Sequence, residues 1–171
     1  MATIITTTYS ANTAITLDIS ALASSAIFVA GRESSEIDNT ANKYIDAIVG
    51  GRFIVGTTPT LPCQLNIYVW GSPVSLATTA IDVLDGTDSA ETLTNSTVLT
   101  NSLVLARSAS VLVNTSDLTY YVSPFSVAQL FGGIMPKFWG LYVSHNMTAA
   151  LKTDAGNTNS FTFNGITYTN T

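Results

Sequence analysis

The sequence predicts an all-β fold: a sandwich or barrel of antiparallel strands carrying one or two short helices. Three observations lead there. Apolar and polar residues alternate with period two in several segments, while no stretch sustains a 3.6-residue period. Gly, Pro, Asn and Asp clusters punctuate these segments at short intervals. The 171 residues include 26 Thr, 18 Ser and 12 Asn, types that suit strands, turns and an uncharged wet surface.

Taken in order, residues 1–18 alternate Thr with Ile, Ala and Leu and read as an N-terminal arm or edge strand, with a turn near residues 10–12. Residues 19–171 read as a single β-sandwich domain, the length suiting one core. Residues 25–30 form a short β-type run ended by Gly31. Residues 32–39 are the most charged stretch and read as a loop with an Asx turn at Asp38-Asn39. Residues 44–55 are the clearest strand, with Gly50-Gly51 marking a bulge or bend. Residues 64–70 alternate again, and the Gly/Pro-rich stretch between the two makes a hairpin the expected arrangement. Asp88-Ser89-Ala90-Glu91 fits a capping box opening a helical turn. Residues 103–105 and 111–113 read as strand pieces around a polar break, and 120–122 as another strand. Ser126 as N-cap, with Gly132-Gly133 behind Phe131, predicts a short helix. Residues 138–143 read as a buried strand. Residues 160–168 alternate and bend at Gly165 into a closing hairpin. The total is about eight strands, which favours a sandwich or barrel.

Composition excludes several function classes. Six Lys and Arg face eleven Asp and Glu, a formal charge of −5. The basic residues are scattered, so neither a nucleic acid backbone nor an anionic membrane is an expected partner. One cysteine, Cys63, leaves no intrachain disulfide and reads as a packing residue. The first thirty residues lack a basic n-region and an unbroken apolar run, so the expectation is a protein made in a cytoplasm that stays soluble. The Asn-x-Ser/Thr sequons at Asn95, Asn114 and Asn146 match what chance supplies in so Ser- and Thr-rich a chain.

Candidate chemistry is sparse. His145 is the one histidine, and no G-x-S-x-G elbow accompanies it, so no hydrolase triad is expected. Zinc would need more N and S ligands than one Cys and one His supply. Asp82, Asp85 and Asp88 are the best calcium candidates; the alternative is an acidic turn with a helix cap, and no metal or other cofactor is predicted. Glu33 and Glu36 could form a glycosidase acid pair, but ion pairing with Arg32 is the blander reading. Phe138, Trp139 and Tyr142 could stack on a sugar, whereas alternation in strands favours the core.

The stretch VAGRESSEIDN (29–39), the strand at 44–55 with GTTPT (56–60), IYVWGS (67–72) and MPKFWGLYVSHN (135–146) together resemble the capsid decoration, or cement, proteins of tailed bacteriophages. The resemblance spans about residues 20–170. It implies a jelly-roll-like β-sandwich, no catalytic residues, a homotrimer on the virion's capsid surface assembled in the host bacterial cytoplasm, and the phage major capsid protein as partner. A phage tail or fibre component, or a glycan-binding virion module, is the alternative. Candidate subunit or capsid contacts are Ile4, Ile5 and Tyr9 of the arm, with Arg32, Glu33 and Glu36. The arm has two readings: an intermolecular clamp, or the first strand of its own sandwich. Low charge fits self-assembly, since burying an uncharged surface desolvates no ions.

Overall fold

A computed structural model describes residues 5–170. Its strands are β1 (Ile5–Tyr9), β2 (Thr13–Ala14), β3 (Ala30–Glu33), β4 (Ile37–Asp38), β5 (Asp46–Ile54), β6 (Cys63–Ser72), β7 (Ser89–Thr92), β8 (Val104–Val111), β9 (Thr119–Ser126), β10 (Phe138–His145) and β11 (Phe161–Asn170). Two short helices, α1 (Ser96–Asn101) and α2 (Val127–Leu130), and a 3-10 turn (Ala155–Asn157) complete it.

The strands form two antiparallel sheets. The first runs β1-β11-β5-β9, with β2 beside β11; the second runs β7-β3-β10-β6-β8, with β4 beside β10. Successive long strands therefore switch sheets, except that β6 and β8 are neighbours. Once the short β4 and β7 are set aside, this is a jelly-roll order, two Greek keys folded into a sandwich. The predicted all-β, jelly-roll-like sandwich with two short helices is the fold observed.

The inner faces of both sheets make the main core. Leu65, Ile67 and Val69 of β6 and Trp139, Leu141 and Val143 of β10 meet Ala47, Val49 and Phe53 of β5 and Phe161 and Phe163 of β11. Trp139 meets Phe163 edge to face, centroids 5.4 Å apart. The outer face of the second sheet is also covered. Tyr68, Trp70 and Tyr142 point outward there, and Leu76, Leu84, Leu93, Leu99 and Leu103 from the long excursion between β6 and β8 close over them. That is why β6 and β10 are buried on both faces instead of alternating.

At the other end of the second sheet, β8 faces the edge strand β9 of the first. Arg107 spans the gap. Its Nη2 donates to the Pro124 carbonyl (2.9 Å), and its guanidinium lies 5.6 Å from the Phe125 ring centre.

Several local expectations are corrected. The hairpin joining residues 44–55 to 64–70 does not exist, because β5 and β6 lie in opposite sheets. Residues 25–29 are turns, and β3 runs through Gly31 into Arg32 and Glu33, stretches expected to be a break and a loop. A side chain at Gly31 would collide with the Val143 carbonyl (2.5 Å), so glycine here lets β3 lie against β10. Residues 89–92 are β7, not a helical turn, because their backbone pairs with β3. The helix instead starts at Asn95, whose side chain accepts the Thr97 N–H (2.8 Å). β8 is continuous through the expected polar break, and β11 runs straight through Gly165 with no terminal hairpin. The bulge beside Gly50 and Gly51, the Asx turn at Asp38 and the Ser126 cap of α2 are all present.

Candidate functional site

Two surfaces gather the residues singled out by sequence. The first is the seam where the β6–β8 excursion meets β3. Glu33 is fully buried there; its Oε2 accepts the Asp85 N–H and its Oε1 the Gly86 N–H, both at 3.0 Å. Gly86 takes a positive φ of 83°, which brings both N–H groups round to the carboxylate. Glu36 Oε2 accepts the Leu76 N–H (2.7 Å), and the Glu36 N–H donates to the Gly86 carbonyl (2.9 Å). Arg32 Nε donates to Asp88 Oδ1 (2.7 Å), and the Asp88 carboxylate also accepts the Asp18 N–H (3.2 Å). Three carboxylates thus act as backbone acceptors holding one long loop. Burial pushes the Glu33 carboxyl up to about 8. The two N–H groups pull against this, while the Asp85 and Glu91 charges add to it.

This geometry corrects two sequence expectations. Arg32 pairs with Asp88, not with either glutamate. Glu33 is enclosed, so it is neither half of an open acid pair nor a surface contact. The calcium candidates diverge. Asp82 accepts the Thr94 N–H (2.7 Å), Asp85 accepts the Thr87 N–H (2.9 Å), and Asp88 holds Arg32. Among the described residues no three His, Cys, Asp or Glu side chains gather to hold a metal.

His145 is fully buried at the end of β10. Nε2 lies 2.9 Å from the Leu22 carbonyl and so donates, while Nδ1 accepts the Met147 N–H (3.3 Å). That pair of bonds requires the neutral imidazole, and burial lowers its pKa accordingly. Cys63 is buried in the main core. Trp139 and Tyr142 are fully buried, and the Tyr142 hydroxyl donates to the Val29 carbonyl. Neither ring is available to a sugar; Phe138 is half-buried.

The second surface is a ribbon. β1 pairs with residues 166–170 of β11, whereas β5 pairs with residues 161–166, so the two strands continue past the sandwich. β1 is therefore an edge strand of its own sheet, exposed from Ile5 to Tyr9, whereas Ile15 and Leu17 further along the arm are buried in the main core. Its faces differ. Thr6, Thr8, Thr167 and Thr169 share one, where the Thr169 hydroxyl lies 3.0 Å from that of Thr6 and 3.2 Å from that of Thr8. Ile5, Tyr9, Ile166 and Tyr168 share the other. Ile5, Tyr9 and Tyr168 are each more than 60% exposed. Ile4 lies outside the described residues. Tyr168 was missed by the sequence reading. Its signal was its place two residues after Ile166 in a Thr-alternating run, which puts both on one face. Leu112, Tyr121 and Ile134, each more than 75% exposed, were missed as well.

No family model matches the chain, and no curated protein is similar to it.

Proposed function

We propose that this chain is a non-enzymatic structural protein of a phage virion. In this reading it binds the outside of the capsid as a decoration protein, associates with itself as a homotrimer and stabilises the shell. The observation that carries the reading is where the side chains go. Glu33, Glu36, Asp88 and His145 are occupied holding the chain's own backbone, while the exposed apolar residues Ile5, Tyr9 and Tyr168 stand on an uncharged ribbon. Exposed apolar residues grouped on one surface mark contact sites. The jelly-roll fold agrees, being one that viral capsid domains use. The phage context itself rests on the resemblance of residues 29–39, 44–60, 67–72 and 135–146.

The test is cosedimentation with empty shells assembled from a tailed-phage major capsid protein, together with light scattering of the free protein. The expected result is pelleting with the shells and a scattering mass that is three times the 18.0 kDa of the chain or a multiple of that trimer. A protein that stays in the supernatant over shells yet binds a host-surface glycan overturns the reading. So does hydrolase activity that disappears in His145→Ala.

A further inference from the structure

We infer that the free edge of β1 is a self-pairing site, which joins two copies of this chain in an antiparallel, two-fold β-ribbon centred on Thr7. Backbone direction comes first. The Ser10 N–H donates to the Gly165 carbonyl (2.7 Å), and antiparallel residues alternate between hydrogen-bonded and open positions. Thr6 and Thr8 therefore aim their backbone groups at β11, and Ile5, Thr7 and Tyr9 aim theirs away from it. Among the described residues no strand occupies that outer side.

Edge strands are normally blunted by Lys, Pro, a bulge or a covering loop. β1 carries none of these: its sequence is Ile-Thr-Thr-Thr-Tyr, and the next charged residue after it is Asp18. Two copies brought together here meet no like charge.

The occupant follows from the register. A two-fold axis through Thr7 sets Thr7 opposite Thr7, Ile5 opposite Tyr9, and Thr6 opposite Thr8. The three outward-facing residues of each copy then meet as hydrogen-bonded positions, giving about six ladder bonds. On the apolar face, each Ile5 lies across from a Tyr9, an aliphatic–aromatic pair of the kind that stabilises facing strands. Tyr168 and Ile166 of each copy extend that stripe on both sides. On the opposite face, Thr6 and Thr8 extend the hydroxyl ladder already formed with Thr169. A register slipped by one residue would set open positions against hydrogen-bonded ones and break the ladder. Strand addition at an exposed edge is an established mode of association. The contact is two-fold, so it is separate from any three-fold seam and stands whether or not the chain coats a capsid.

The test uses the full chain. Thr7→Pro removes an N–H that points away from β11, so the intrachain ladder keeps its bonds while the edge loses its central donor. Thr7→Cys puts two thiols opposite each other at a facing separation compatible with a disulfide, whereas Thr6→Cys and Thr8→Cys are offset from their own copies. Buried Cys63 supplies no competing surface thiol. In sedimentation velocity, Thr7→Pro should weaken a wild-type dimerisation step at least tenfold with the melting temperature unchanged. Under mild oxidation, Thr7→Cys should form a linked dimer, with Thr6→Cys and Thr8→Cys at least fivefold less. Equal crosslinking at all three positions overturns the inference. So does sedimentation of the wild type that Thr7→Pro leaves unaltered. A wild type that stays monomeric, with only shell binding lost in Thr7→Pro, gives the edge to a strand of the shell protein and also overturns it.

Discussion

Glu33 is ionisable and enclosed, and its setting fixes a pH dependence. Its folded pKa of about 8 lies above the ordinary carboxyl value of 4.5, so the folded state holds the proton more tightly than the unfolded chain does. The resulting stability is complete below about pH 4.5 and is lost as pH rises through 8. His145 works in the opposite sense: its pKa is depressed, so its effect is felt as pH falls below 6.5. Between pH 6.5 and 8.5 the slope therefore belongs to Glu33. Stability should fall by about 2 kcal/mol across that window, with the melting temperature dropping by roughly 4–8 °C. In Glu33→Gln the slope should vanish; thermal melts at the two pH values check it. Asparagine acts at the same scale. Asn157 is fully buried, and its amide accepts the Ile54 N–H (2.8 Å) and donates to the Ile54 carbonyl (3.0 Å), serving as the strand partner that β5 lacks at its end. Asn39 clamps Tyr44 in the same manner. The amide-rich composition thus serves the backbone as much as the solvent. Asn157→Ala should cost about 1–3 kcal/mol in a urea melt, since it leaves the Ile54 N–H without its acceptor, while the Ile54 carbonyl keeps the Lys152 N–H.

At the scale of elements, two features carry the long connections. Leu84 pins the β6–β8 excursion onto Trp70 and Tyr142, so Leu84→Ala should destabilise by about 2–5 kcal/mol in urea. Arg107 ties β8 to β9 across the sandwich mouth, and Arg107→Ala should cost about 1–2 kcal/mol by the same measurement. These elements show what the sequence made legible. Period-two alternation located β5, β6 and β11, short apolar runs located β9 and β10, and punctuation located α2 and the β5 bulge. The hairpin between β5 and β6 was misread because a jelly roll sends that connection across to the other sheet, and nothing local in the Gly/Pro-rich loop encodes the switch. The capping box at Asp88 had the right residues, but Asp88 is taken by Arg32 and the Asp18 N–H, leaving no cap for a helix. The seam eluded sequence reasoning for the same reason: Glu33 sits 52 residues from Asp85, and only the fold makes them neighbours. The ribbon was half legible. Ile5 and Tyr9 stood out by alternation, but their partner strand lies at the far end of the numbering.

For the whole molecule, the scarcity of charge sets how it associates. Ion pairs are few among the described residues, and Lys152 with Asp117 and Asp154 forms an exposed one worth little. Contacts built on Ile5, Tyr9 and Tyr168 should therefore be nearly insensitive to salt. Sedimentation between 0.05 and 0.5 M NaCl should give association constants within about threefold of each other. The ribbon also lies outside the core, since β1 buries none of its five side chains. Deleting residues 2–10 should leave the fold intact, lowering stability by about 1 kcal/mol or less in urea, while the two-fold association through β1 is lost.

The position of β11 has a consequence for synthesis. It lies between β1 and β5 and brings Phe161 and Phe163 into the main core, yet it is synthesised after every other strand of this sandwich. Until then β1 has no partner, β5 is paired on one side only, and Phe53 and Val49 face an unfinished wall. At about 5–20 residues per second the chain spends many seconds in that state. An open strand edge beside bare aromatic surface invites pairing with a neighbouring nascent chain. Yield of this protein in a cell should consequently depend on how crowded its message is with ribosomes, as well as on how stable the finished sandwich becomes.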